Sequence, residues 1–275
     1  MARPVHLGRL ESTAAGTPVL AGTVFATGWR RLDYLVLAPG QALALRLREQ
    51  VEEGYVVLGG TAALSAGGAQ VAVGGPAVLR CGAGREHGLA NVGPQPLQLL
   101  HLQVALEQGA GGAPALLAET VDRSRLEWRP AIHGGVGRVA TRHLWDPEDP
   151  GSCWTFADHA VLDARSSVGY HRHGALEECF VVLAGRGYMT IDGETYAAGP
   201  GDVTWQGIGQ AHGLYNASDR ELEFLRLAVR QAGERVTTVD LHDDLAGCLP
   251  GNEARGGNPA MNGAATDSGS SPEEH

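Results

Sequence analysis

The sequence predicts an all-β protein built from two copies of one unit, and three observations carry that expectation. Glycine fills 40 of 275 positions, about twice the usual share, which favours many turns and many short strands. Short apolar runs recur between Gly-rich turns, with Asp192-Gly193 and Gly67-Gly68 placed between two such runs as hairpin signals. Third, the chain repeats itself at a constant offset of 125 residues. Glu-Glu-Gly-Tyr-Val-Val-Leu-Gly-Gly at 52–60 matches 177–185 at six of nine positions, and 82–91 matches 207–216 at six of ten. Trp29 falls on Trp154 by the same offset. No gap is needed over this span, so the chain reads as a duplication.

Taken in order, Met1 to Leu10 carries two arginines but leads into no long apolar run, so no signal peptide is expected. The apolar stretch at 18–27 is too short to span a bilayer. The first copy is placed at 1–107. Residues 108–127 read as a flexible linker, with a short helix from Ala115 to Arg125 as one option. The second copy occupies 128–240. Its approach includes His133-Gly-Gly-Val-Gly, which no Rossmann-type unit follows, so a dinucleotide reading is weak. Residues 241–275 read as a disordered tail, because Gly251 to His275 lacks the apolar groups needed to offset ordering entropy.

Net charge of −10 argues against nucleic acid or an anionic membrane as partner. Cys81, Cys153, Cys179 and Cys248 have neither zinc-finger nor disulfide-framework spacing, and a reduced cytoplasm is the simplest setting.

The chemistry concentrates between Gly169 and Asn216. His171 and His173 stand at i and i+2, so on a strand both project from one face. Glu178 on the next strand and His212 beyond a hairpin can converge with them. Three imidazoles and a carboxylate suit Fe, Mn, Co, Ni, Cu or Zn rather than Mg or Ca, which prefer oxygen shells.

These residues resemble the two motifs of the cupin superfamily. His171, His173, Glu178 and Gly185 meet the first, although its leading glycine falls at Arg165. Gly201, Gly209, His212 and Asn216 meet the second, with Gly207 in place of a proline. The resemblance implies two tandem jelly-roll barrels, a bicupin, with one divalent transition metal per chain. Iron is the favoured ion, and Mn, Zn, Ni or Cu are the alternatives.

The first copy lacks the histidine pair. Arg46 and Arg48 stand where the second has His171 and His173, while Glu53 and His87 persist at the positions of Glu178 and His212. Two fixed positive charges make a poor divalent cation site. That barrel is either a structural relic, with Glu53 paired to an arginine, or a holder of an anion through its arginines.

Strand alternation turns Phe180 and Val182 toward the second cavity with Glu178, and turns Tyr170 and Arg172 away from the histidines. Tyr188 and Trp205 are further candidate walls. Arg226 is either a clamp on a substrate carboxylate or a salt-bridged structural residue. His143 and His159 read as structural, and His133 as a surface residue, with approach to either cavity from the linker as its alternative. No catalytic acid or base stands out. The expected function is a metal-dependent enzyme on a small polar or anionic metabolite, with a non-haem iron dioxygenase favoured. A redox-neutral isomerase, lyase or aminohydrolase is the alternative, and a non-catalytic binding protein the third. The chain is expected as monomer or homodimer.

Overall fold

The computed structural model describes residues 3–11, 15–20, 25–107, 116–145, 151–242 and 244–250. The described residues form four antiparallel sheets and two short 3-10 turns. In the first copy, a six-stranded sheet runs Leu116–Thr120, Ala77–Cys81, Val51–Gly59, Leu97–Ala105, Trp29–Leu37, Thr17–Pro18. A four-stranded sheet, ordered Arg46–Arg48, Arg85–Asn91, Thr61–Ala66, Ala69–Gly74, faces it. In the second copy the larger sheet has seven strands, in the order Val5–His6, Asp202–Gln206, Leu176–Ala184, Leu222–Arg230, Trp154–Leu162, Arg138–His143, Glu127–Pro130. Its smaller partner has five, namely Glu194–Ala198, Gly187–Ile191, His212–Tyr215, Ser167–Gly174 and Thr237–Asp240. Each pair of sheets closes as a jelly roll. At both expected hairpins the two turn residues have positive φ, at Gly67 and Gly68 and at Asp192 and Gly193, as a tight hairpin turn requires.

Two cores fill the barrels. Leu37, Tyr55, Val57, Leu64, Leu79 and Leu89 form one, and Phe180, Val182, Met189, Ile191, Leu214 and Phe224 the other. A third core joins the two large sheets and includes Trp29, Val56, Leu102, Trp154, Cys179, Val181 and Leu227. Alternation along each strand supplies both faces: Tyr55 and Val57 turn inward while Val56 turns to the other barrel, and Phe180 and Val182 stand in the same relation to Val181. Strands buried on both faces need unbroken apolar runs, and 55–58 and 180–183 are such runs.

The barrels exchange their leading strands. Val5–His6 pairs with Val203 and Asp202 of the second barrel, so residues 1–107 do not keep to the first. Leu116–Thr120 pairs with Ala77–Cys81 of the first barrel, where the sequence pointed to a flexible joint or helix. The edge that recruits it is distant in sequence, and Leu116, Leu117 and Ala118 pack on two different cores once it is recruited. The described residues between 241 and 250, expected as tail, are packed instead. Leu241, Leu245, Ala246 and Leu249 pack with Tyr170 and Tyr215, because the turn after the last strand lays them on the outside of the five-stranded sheet. Residues 251–275 lie outside the described residues. None of the four cysteines is joined in a disulfide among the described residues, and no helix among them is long and apolar enough to cross a membrane.

The joint between barrels is a pseudo-twofold clasp. Glu52 and Glu177, one residue before the paired glutamates of the two cavities, turn outward and are fully buried. Glu52 accepts hydrogen bonds from Arg80 (3.0 Å), the Gly151 amide (2.9 Å) and the Ser152 hydroxyl (2.7 Å). Glu177 accepts from the Ala26 amide (2.8 Å) and the Thr27 hydroxyl (2.6 Å), which occupy the positions of Gly151 and Ser152 one repeat earlier. Beside them a closed ring of backbone hydrogen bonds runs Gly28 to Arg230, Ala105 to Gly28, Cys153 to Ala105 and Arg230 to Cys153. A Cβ at Gly28 would meet the Cys153 Cβ at 2.6 Å, so only glycine permits this approach.

Glu52→Ala strands the fully buried Arg80 without its carboxylate. Such a loss costs about 3–5 kcal/mol, and urea unfolding of the variant is expected to show it. A change below about 1 kcal/mol, the size of an ordinary net hydrogen bond, would mean that the clasp does not hold the barrels.

Candidate metal centre

The second barrel's inner strands bring four donors to one point. His171 and His173 come from Ser167–Gly174, Glu178 from Leu176–Ala184 and His212 from His212–Tyr215. His171 and His212 are direct cross-strand partners, and residues so paired share a face. The four side chains are buried, and their ligand atoms lie within 4.8 Å of one another.

The loop before these strands is pressed close to them by glycines. The Gly169 amide donates to the Ile132 carbonyl and the Ser167 amide to that of Val136. A Cβ at Gly169 would lie 1.9 Å from the His133 carbonyl oxygen. This contact carries His133 to the mouth, where its ring stacks on His171 at 3.8 Å between centroids and 17°. Its backbone takes φ 56, an uncommon conformation for a residue with a Cβ, and Asp240 holds its Nδ1 at 3.2 Å. The sequence favours a surface place for His133 over an approach to a cavity from the linker, because no motif or spacing marks it. Asp240 and Thr238 come from the strand Thr237–Asp240, which pairs with Ser167–Gly174 and closes that side of the site.

Hydrogen bonding fixes where the imidazole lone pairs point. His171 Nδ1 lies 2.8 Å from the Gly169 carbonyl and His212 Nδ1 lies 3.0 Å from that of Gln210. A carbonyl only accepts, so both Nδ1 atoms carry the proton and both Nε2 atoms present lone pairs. His173 Nδ1 meets the Thr238 hydroxyl at 2.9 Å. The Nε2 atoms of His171 and His173 then face each other at 3.0 Å, and His212 Nε2 faces Glu178 Oε2 at 3.0 Å. The His212 lone pair is thus directed at a carboxylate oxygen in a buried place, which calls for a cation between them, and the residues therefore fit a metal ion. Burial, and then the neighbouring imidazoles, hold His171 well below its ordinary value. Burial also lowers His173, against an opposing pull from Glu178. Burial would raise Glu178, but His173, His212 and Arg226 outweigh it and hold it well below the usual range. Neutral imidazoles and an ionised carboxylate are the forms that ligate.

The candidate walls separate on inspection. Phe180 is buried with its ring 6.0 Å from that of His212 and 5.7 Å from that of Phe224, so it lines the site. Trp205 does not. It is the cross-strand partner of Cys179, not Glu178, and so joins the core between the barrels, edge-on to Phe25. Tyr188 also turns away, since its neighbours Met189 and Gly187 flank it and Met189 points into the barrel core. Arg226 does reach the centre, but its guanidinium donates to Asp158 at 2.7 Å and lies 3.6 Å from Glu178 Oε1. That geometry gives it a salt-bridged position beside Glu178. Of the other histidines, His143 pairs with Asp158, which raises its pKa, and His159 pairs with Glu223.

The first barrel spends the same positions differently. Glu53 is buried and accepts from His101 (3.1 Å), Tyr55 (3.1 Å), Gln103 and His87. Four donors on one carboxylate leave it nothing for a cation. His101 and Gln103 escaped the sequence reading, although the repeat offset sets them at Arg226 and Ala228. Burial would depress His87, yet its hydrogen bonds to Cys81, Glu53 and the Arg85 carbonyl outweigh this and raise its pKa to about 10.

Two outcomes follow. Metal analysis should find one ion per chain, lost in His171→Ala or His212→Ala and kept in His87→Ala; two ions per chain would contradict the assignment. The raised His87 stabilises the fold fully below the free-imidazole value of 6.5 and progressively less as pH rises toward about 10. The stability difference between wild type and His87→Gln should therefore shrink from neutral to alkaline pH, and a difference that grows instead would refute the pairing.

The comparisons agree with this geometry. The family model described as "Cupin domain" matches residues 159–229. The oxalate-binding protein of Thermotoga maritima is 30% identical over 98 residues, which cover 36% of this chain and 81% of that protein. A cupin 2 conserved barrel domain protein from Leptotrichia buccalis superposes with TM-score 0.60 at 12% identity, covering 83% of this chain and 96% of that one. Salicylate 1,2-dioxygenase from Pseudaminobacter salicylatoxidans does so with TM-score 0.56 at 13% identity, covering 83% and 76%. The two structures share the fold, while the sequence relative carries the kinship. The chain belongs to the cupin superfamily.

Proposed function

We propose that the second barrel is a metal-dependent site acting on a small polar or anionic metabolite, with dioxygenase chemistry as the favoured version. The observation that supports this most is the convergence of three imidazole Nε2 atoms and the Glu178 carboxylate in a buried pocket. His171, His173, Glu178 and His212 would hold the ion, and iron is the favoured one for such a shell. The ion would supply Lewis acidity and, as iron, the means to activate dioxygen.

The chain's own groups set the rest. Three neutral imidazoles and one carboxylate leave a divalent ion with net positive charge, which attracts an anionic donor. Asp158 fixes Arg226, and Arg226 steadies the Glu178 oxygen at 3.6 Å. Phe180, Phe224 and Val182 make the inner wall apolar, which keeps water from the reacting groups and strengthens the electrostatics within. Asp240 and Thr238 orient His133 and His173 from the covering strand.

A second reading is a binding protein without turnover. It is favoured by the sequence relative named as an oxalate-binding protein, and by the engagement of Arg226 and His133 with Asp158 and Asp240. One experiment separates the readings. Iron-loaded protein is offered oxalate and salicylate in turn in an oxygen electrode, with product analysis in air and under anaerobiosis. Dioxygen uptake coupled to loss of either compound supports the oxygenase. Turnover under strict anaerobiosis replaces it with a redox-neutral lyase, and saturable binding with no product leaves the binding protein.

A further inference from the structure

We propose that the mouth of the first barrel is a metal-free binding site for a small anion, a carboxylate or phosphate, held by Arg46 and Arg48. The two barrels share a frame, so their differences can be read position by position. Where the second barrel places the His171 and His173 imidazoles, the first places two guanidiniums. Arg46 is the cross-strand partner of His87, as His171 is of His212. The His87 ring reaches Glu53 inside the barrel, and directly opposed residues share a face, so Arg46 faces the cavity too. Arg48 has the same parity, and its Nε lies 3.9 Å from Glu53 Oε1.

Charge decides what this mouth can take. Glu53 is shared among His87, His101, Tyr55 and Gln103 before either arginine is counted. Its single negative charge faces two guanidiniums, so the rim is net positive without any metal. Among the described residues none forms an ion pair or hydrogen bond with the Arg46 side chain. A guanidinium offers paired parallel donors that match carboxylate and phosphate oxygens. Two of them one strand-repeat apart favour a compact dianion over a monoanion.

Access differs between the barrels in the same direction. In the second, Thr237–Asp240 pairs with the edge of Ser167–Gly174 and brings Thr238 and Asp240 against His173 and His133. In the first, Arg46–Arg48 is the outermost strand of its sheet, and no described strand pairs with its free side. Arg48 is 48% exposed at its side chain while Glu53 below it is fully buried. The arrangement is therefore an open basic rim over a closed polar floor, which suits a ligand that exchanges with solvent.

The test uses the full chain, titrated calorimetrically with oxalate and with inorganic phosphate, in four forms: wild type, His171→Ala, Arg46→Gln and Arg46→Lys. One equivalent of anion should bind to metal-free wild type and to His171→Ala alike, because neither change touches the first barrel. Arg46→Gln should weaken that binding about tenfold or more, the usual scale of a lost charged hydrogen bond, with Arg46→Lys falling between. Tighter binding of oxalate would assign a dicarboxylate ligand, and tighter binding of phosphate a phosphate ester. The proposal fails if neither anion binds at millimolar concentration, if binding survives Arg46→Gln unchanged, or if it vanishes in His171→Ala.

Discussion

Side-chain alternation at two consecutive glutamates sets the plan of this molecule. In Val51–Gly59 and in Leu176–Ala184, neighbouring residues must leave the sheet on opposite faces. Glu53 and Glu178 therefore enter their barrels, and Glu52 and Glu177 enter the junction between them. One pair of letters in each repeat supplies both the anchor of a cavity and the anchor of the other barrel. The buried carboxylates at the junction are tolerable because each is met by amides, hydroxyls or Arg80 that would otherwise be stranded as well. The two large sheets can thus lie back to back with apolar residues on both faces.

The same frame then serves two electrostatic designs. In the second barrel the proton positions forced by the Gly169 and Gln210 carbonyls point lone pairs inward, around an ionised glutamate. That pocket is short of positive charge and suited to a cation. In the first barrel the corresponding glutamate is saturated by donors, and fixed guanidiniums take the place of imidazoles. That pocket has positive charge to spare. Four substitutions at aligned positions, His171 for Arg46, His173 for Arg48, Arg226 for His101 and Ala228 for Gln103, account for the reversal. The fold does not dictate either outcome.

The sequence by itself determined the all-β class, the duplication, the hairpin turns and the four convergent donors. Each of these is written in local spacing: a period of two, glycine at positive φ, and histidines two apart with a glutamate on the next strand. Phe180 was legible for the same reason, because its parity with Glu178 fixes its face. Tertiary structure alone decided the rest. The facing of Trp205 and Tyr188 depends on which cross-strand neighbour each one meets, and Cys179 and Met189 settle it. The role of Arg226 depends on Asp158, 68 residues away in the chain, and the place of His133 depends on a glycine-tight contact with the strand after Ser166. The exchange of Val5–His6 and Leu116–Thr120 needs a sheet edge that exists only once the other barrel has formed. Pairings of that kind join segments far apart in the chain, and nothing in the local order of residues selects one distant partner over another.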